Sequence, residues 1–158
     1  MPRQIITIIP ATTPEQVQIV RSLFEEYARG LNISLCFQNF SQELAELPGG
    51  YAPPAGRLLL ACVSDQVAGC VGVRSIEPCI CEMKRLYVPP HFRGEGIGKR
   101  LASAAVREAR QAGYKIMRLD TLDSMKPAVN LYRKLGFRPI DPYYHNPLTG
   151  VAFLELKL

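Results

Sequence analysis

Three glycines at alternate positions, Gly94, Gly96 and Gly98, stand in the stretch HFRGEGIGKRLASAAVREARQAGY, directly ahead of an Ala-rich helical pattern. Glycine is the residue most costly to order, and it weakens helices. A helix start exposes unpaired N–H groups and the positive end of the macrodipole. Removing side chains there lets an anion, above all a phosphate, approach those N–H groups, and Arg93 and Lys99 add positive charge. Two well-known phosphate loops are excluded by spacing. A Walker A loop would need Gly at 93 and Ser or Thr at 100, and both are Arg. A dinucleotide fingerprint begun at Gly94 would need Gly at 99, which is Lys; one begun at Gly96 would need Gly or Ala at 101, which is Leu. Taken alone, the loop also fits a turn that tightens a strand–helix joint. Cys79 and Cys81 in PCICEM would share one face of a strand, but no second pair or histidine stands at ligand spacing, so no metal is expected.

The elements around the loop follow from periodicity. Residues 4–9, QIITII, are rich in β-branched side chains and predict a strand. Thr13 as N-cap, Pro14 at the first helical position and Gln16 three after the cap form a capping box. Apolar residues at 17, 20, 23, 24 and 27 then make a core-facing stripe up to Gly30. A short helical piece near SQELAEL and a Pro/Gly loop, PGGYAPPAG, follow. RLLLACVSDQVAGCVGVRSI predicts a hairpin turning at 64–66, and ICEMKRLYV a strand ended by Pro89 and Pro90. Alternation along that strand would set Glu82, Lys84, Leu86 and Val88 on one face. The helix after the glycines shows one face at 97, 101, 105, 109 and 112, with Gly113 as a left-handed stop. YKIMRLDTL predicts a strand, SMKPAVNLYRKLGF a helix with Pro127 in its first turn and Gly136 at its end, and VAFLELKL a closing strand. No repeat, low-complexity tract or linker interrupts the chain, which predicts one domain over residues 1–158. The order of elements is α+β: a mostly antiparallel sheet, then one β–α–β crossover.

Composition narrows the partners. MPRQIITIIP carries too short an apolar run for a signal peptide or span, and no later segment reaches about 18 apolar residues, so no membrane is expected. Five cysteines without knot-like spacing argue for a reducing compartment, the cytoplasm. Residues 84–138 hold thirteen Lys and Arg against four acids, a local +9 in a chain of +5, so the remainder carries −4. The cationic half suits an anionic ligand. Its basic residues recur at helical intervals without interleaved aromatics, which argues against nucleic acid.

LYVPPHFRGEGIGKRL, with AVNLYRKLGF further along, resembles the GNAT superfamily of N-acetyltransferases. That family's acetyl-CoA loop, Arg/Gln-x-x-Gly-x-Gly/Ala, is matched by Arg93, Gly96 and Gly98. Its second motif, an Asn shortly before Leu-Tyr and then Gly-Phe, is matched by Asn130, Leu131, Tyr132, Gly136 and Phe137. In weaker form the similarity runs from about residue 4 to 158. The resemblance implies the GNAT fold, a mixed, mostly antiparallel sheet flanked by helices whose β–α–β crossover carries the acetyl-CoA site. It places the pyrophosphate on the backbone N–H groups of Gly94, Glu95, Gly96, Ile97, Gly98 and Lys99, beside Arg93. The main chain of Leu86, Tyr87 and Val88 would bond the pantetheine arm where two parallel strands splay, with Asn130 on the other side.

The same resemblance implies the chemistry. Tyr132 would point its hydroxyl at the thioester sulfur and protonate the departing thiolate, a task within reach of a phenol with pKa near 10; its other reading is a core tyrosine beside Leu131 and Leu135. A backbone N–H near Val88 would meet the oxyanion. Glu82 stands eleven residues before Arg93, where histone-modifying relatives place a catalytic glutamate, and would relay a proton through water; its other reading is a salt bridge to Lys84 or Arg85. The expected function is direct transfer of acetyl from acetyl-CoA to a primary amine of a small molecule in a ternary complex. Candidates for acceptor contacts are Arg85, Asp120, Tyr143, Tyr144 and His145, with Glu26 and Tyr27 on the first helix. Arg and Tyr together suit a carboxylate-bearing acceptor such as an amino acid. The competing readings are acetylation of a protein or peptide amine and an acyl-CoA-binding regulator without turnover; a regulator has no use for Tyr132 as a thiolate donor. Dimers are frequent in that family, so a homodimer is compatible with the sequence.

Overall fold

Seven strands hydrogen-bond into one sheet in the computed structural model, which describes residues 4–31, 35 and 38–158. Cys36 lies outside the described residues. In chain order the elements are β1 (Ile6–Pro10), α1 (Pro14–Leu31), α2 (Phe40–Glu46), β2 (Arg57–Val63), β3 (Gln66–Glu77), β4 (Ile80–Tyr87), α3 (Ile97–Gln111), β5 (Ile116–Leu122), α4 (Lys126–Lys134), β6 (Arg138–Pro139) and β7 (Val151–Lys157). The sheet order is β1-β2-β3-β4-β5-β7-β6. Every neighbouring pair is antiparallel except β4 and β5, whose parallel pairing requires the crossover that α3 supplies. The two-residue β6 had no alternation to announce it.

Local rules account for most boundaries. The capping box at α1 is formed: Gln16 N–H donates to Thr13 Oγ1 at 3.2 Å, and Gln16 Oε1 accepts from the N–H of Thr12 and Thr13 at 2.9 and 3.1 Å. α1 runs one residue past Gly30. Gly113 and Gly136, at φ 95° and 104°, close α3 and precede β6 in the left-handed region. Helices α3 and α4 cover one face of the sheet, where Ile97, Leu101, Ala105 and Ala109 pack on Val71, Val73 and Met83. α1 and the 40–51 segment cover the other, with Val20, Phe24, Leu47 and Tyr51 on Leu58 and Leu60. The Pro/Gly loop serves that second layer: a Cβ on Gly72 would stand 2.6 Å from the Tyr51 ring, so glycine in β3 admits the aromatic cover.

The Cys79–Cys81 expectation fails on geometry. Cys79 is exposed in the turn between β3 and β4 at φ 68°, while Cys81 is buried in the core, so the two do not share a strand face.

Alternation along β4 also breaks. Cys70 pairs with Tyr87 and Gly72 with Lys84, so β4 carries one residue more than β3 across the same interval. The extra residue is accommodated at Arg85, whose φ is 61°, a β-bulge. Glu82 and Lys84 therefore do not share a face with Leu86 and Val88. The last two pack with the α3 layer, whereas Lys84 and Arg85 both reach toward Gln38 and Glu43 on the α1–α2 side.

Candidate active site

β4 and β5 pair over three positions, Ile80 with Ile116, Cys81 with Met117 and Glu82 with Arg118, and then diverge. The gap expected between splayed parallel strands is thus present, at the carboxyl ends where open sheets take ligands. Continuing the register sets Lys84 opposite Asp120 at the crotch, and their side chains meet there, Nζ to Oδ1 at 4.0 Å. A cavity of about 80 Å³ fills the gap. From β4 it is lined by Lys84, Arg85 and Leu86, from β5 by Asp120, and from the two helical layers by Tyr27 of α1 and Tyr132 of α4. Because both layers reach it, the cavity passes through the sheet.

Tyr132 is 7% exposed, with its ring edge-on to Phe137 at 5.8 Å. Burial, reinforced by the nearby Tyr27 and Asp120, raises its phenol above the ordinary range. Among the described residues no buried side-chain oxygen lacks a partner, and no protein group bonds this hydroxyl. It therefore faces the cavity and is free to donate.

The glycine joint lies at the same end of β4. Among the described residues its backbone hydrogen bonds stop at Arg93 N–H to Pro90 C=O, 3.2 Å, and resume at Arg100 N–H to Gly96 C=O, 3.2 Å. The six amides of residues 94–99 have no backbone acceptor between them, which suits a multiply charged anion. Gly94 and Gly96 hold φ of 85° and 81°, and a Cβ on either would meet nothing within 4 Å. Conformation rather than crowding demands glycine there. Ile97, 1% exposed, roots the loop in the core, while Glu95 and Lys99 stay exposed. Arg93 Nε donates to the Val88 carbonyl at 2.9 Å and its guanidinium lies 6.0 Å over the Tyr87 ring, tying the loop to the strand end. A Cβ on Gly98 would lie 3.9 Å from both Leu131 and Val88, so the α3 mouth, α4 and the end of β4 adjoin. Asn130 is exposed on α4.

Other expected residues divide. Tyr27 and Asp120 line the cavity. Asp120 accepts from the Tyr144 hydroxyl at 2.5 Å, Tyr144 accepts from Gln38 Nε2 at 3.2 Å, and Gln38 Oε1 accepts from Lys84 Nζ at 3.2 Å. With the Lys84–Asp120 approach this closes a ring around the crotch. Burial lowers the Lys84 ammonium below its usual range, against the opposing pull of Glu82. Arg85 also lines the cavity, but its fork is held by Glu43 at 3.0 and 3.1 Å and lies over Tyr27 and Phe40. Glu26 accepts from the Tyr87 hydroxyl at 3.3 Å. His145 is exposed and lies off the cavity wall, where Asn146 stands instead.

Glu82 is not on the cavity wall either. Buried to 3% exposure, it accepts from Arg74 Nε at 3.0 Å and from the Tyr143 hydroxyl at 2.5 Å, with Lys84 Nζ at 3.8 Å. Its first ionic partner is thus Arg74 rather than the expected Lys84, which stands farther off, or Arg85, which is held by Glu43. Arg74 and Gln38 are functional neighbours that sequence reasoning missed; no motif marks either.

An unpaired amide cradle, a strand gap and a free buried phenol opening on that gap describe a transferase of an activated acyl group. The profile of the Acetyltransferase (GNAT) family matches residues 18–137, and the chain belongs to that family. An uncharacterized N-acetyltransferase of Schizosaccharomyces pombe is 39% identical over 155 residues, 97% of this chain and 95% of its own. N-acetylaspartate synthetase of Danio rerio is 31% identical over 133 residues, 83% of this chain and 47% of its own. A GNAT family acetyltransferase from Elizabethkingia anophelis with acetyl-CoA bound shares the fold at TM-score 0.62 and 22% identity, covering 97% of this chain and 98% of that one.

Proposed function

We propose that this acetyltransferase moves the acetyl group of acetyl-CoA to a primary amine of a small molecule, in the cytoplasm. The observation that carries the reading is that one strand end joins two features: six amides at 94–99 that have no backbone acceptor among the described residues, and a β4–β5 cavity lined by Tyr132. Bound acetyl-CoA supplies a thioester, a carbonyl open to attack with a thiolate leaving group. The amides of 94–99 hold its pyrophosphate, and the main chain of Leu86, Tyr87 and Val88 orients the arm with help from Asn130. As the acceptor nitrogen bonds the acetyl carbon, Val88 N–H would stabilise the oxyanion; the C–S bond would then break, Tyr132 would protonate the departing sulfur, and the proton shed by the nitrogen would return to the Tyr132 oxygen. Asp120, held by Tyr144 at the crotch, draws in the acceptor's amine, while Lys84 beside it disfavours the ammonium form. Glu82 positions Lys84.

The name of the Danio rerio relative, a synthetase of N-acetylaspartate, supports an acceptor that carries carboxylate as well as amine. The test is thiol release from acetyl-CoA with a panel of amino acids, other small amines and peptides. Sustained release that depends on a small amine is expected. Release with peptides alone would move the acceptor to protein, and none at all would leave only a binding protein.

A further inference from the structure

A groove of about 480 Å³ opens on the α1–α2 side of the sheet beside the strand gap. Gln38 and Lys84 line both the groove and the cavity, so the two are continuous past the crotch. The groove's charged groups are Arg74, Lys84 and Glu82, a net of one positive charge. Arg74 is the accessible one: its side chain is 35% exposed, against 4% for the other two. Two carboxylates approach its fork from different edges, Glu82 at Nε, 3.0 Å, and Glu43 at Nη1, 3.9 Å. Among the described residues no acceptor is bonded to Nη2. A guanidinium carries five N–H donors, and those on Nη2 remain to make a charge-assisted hydrogen bond to a carboxylate oxygen.

Apart from Ser75 and Gly50, the remaining wall is an aliphatic and aromatic surface. Ile76 is exposed at 38%, and the Tyr143 and Tyr144 rings stand beside it, each set edge-on against Phe153 at 5.3 and 5.4 Å. Scale fits a small ligand as well. Arg74 and Lys84 reach the same oxygen of Glu82, at 3.0 and 3.8 Å, so the exposed fork and the crotch lie within the span of one amino acid.

Resting on the acetyl-transfer reading above, we propose that this groove is the acceptor site and that Arg74 anchors the carboxylate of an amino acid. The amine then points past Lys84 into the gap, and an apolar side chain lies on Ile76 and Tyr143. The site thus selects amino carboxylic acids over amines that lack the carboxylate.

The test uses paired acceptors, α-amino acids with apolar side chains and the primary amides of the same amino acids, with thiol release followed for each. The wild-type chain is expected to prefer the acid over its amide in kcat/KM by about 10- to 100-fold, the worth of a charge-assisted hydrogen bond, and to do so through KM. Arg74→Gln is expected to erase that preference. A ratio taken within one variant is unaffected by any fraction that fails to fold. Equal use of acid and amide by the wild type overturns the carboxylate site, and a preference that survives in Arg74→Gln overturns the assignment to Arg74. Turnover of neither series, with sustained release on another small amine, overturns the acceptor class alone and leaves acetyl transfer standing. No release with any amine overturns both.

Discussion

In the proposed transfer Tyr132 is the residue on which the chemistry turns, and its environment makes a testable statement about pH. An acid catalyst must carry its proton, so its contribution is lost as pH rises through its own pKa. Burial moves the Tyr132 phenol upward, so that loss is postponed beyond the ordinary phenol value of about 10. The wild-type kcat is therefore expected not to fall on this account below about pH 10. Tyr132→Phe should lower kcat by about 10²- to 10⁴-fold with little change in the acetyl-CoA Kd measured by calorimetry. Unchanged turnover in the variant at every pH would remove the donor role. Tyr132 was legible in the sequence because a motif with defined spacing carries it. The surroundings of Glu82 were not, because Arg74 and Tyr143 come from other strands and loops and no local pattern brings them together. Asp120 and Tyr27 line the cavity, while His145 stays in solvent.

At the level of elements, two joints carry specific expectations. Gly96 is the N-cap of α3 in the left-handed region, where a β-branched residue is strained by roughly 1–2 kcal/mol. Gly96→Val finds open space for its Cβ, so circular dichroism should remain native. The amides of 94–99 would turn, and acetyl-CoA binding by calorimetry should disappear. Retained affinity would detach the phosphate from the loop. At α1, Thr13→Ala removes one half of a formed capping box and should cost about 1 kcal/mol. For a chain of this size that is a fall in Tm of about 2–4 °C by calorimetry. An unchanged Tm would mean that Gln16 alone holds the helix start. Helix boundaries were readable because caps and glycine stops are local. The β4 bulge was not: Arg85 is a residue with no preference for positive φ, and it is held there by Glu43 of α2, 42 residues away. An unbroken alternation would have put Leu86 and Val88 on the acceptor side. The bulge instead aims them at the α3 layer, beside the glycine joint, while Lys84 and Arg85 both turn to the opposite face. One displaced residue thus divides the strand end between the proposed cofactor side and the proposed acceptor side.

Over the whole molecule the same division appears as charge and as buried hydroxyls. The cationic span 84–138 builds the crotch, the glycine joint, α3 and α4, where an anionic cofactor would lie. Around the gap and on the α1–α2 side the chain buries phenols: Tyr27, Tyr51, Tyr132, Tyr143 and Tyr144 are each raised above the ordinary range, with burial the first cause. The consequence for stability has a definite sign. Below about pH 10 these groups are protonated in both folded and unfolded chains, and what they contribute is fully present. Above it the unfolded chain gives up phenolic protons that the folded chain keeps, so stability falls as pH rises. Each such group costs about 1.4 kcal/mol per pH unit, and even three of the five remove about 4 kcal/mol per unit. Against a total of about 5–15 kcal/mol for a typical domain, the chain should unfold cooperatively within roughly one to three units above pH 10. Tyrosinate absorbance and far-ultraviolet circular dichroism, followed together in an alkaline titration, should change in one shared transition. If most of the phenols ionise near their ordinary value while the dichroism stays native, burial does not protect the tyrosine layer, and the hydroxyl of Tyr132 lacks the guarded proton that the proposed donor role requires.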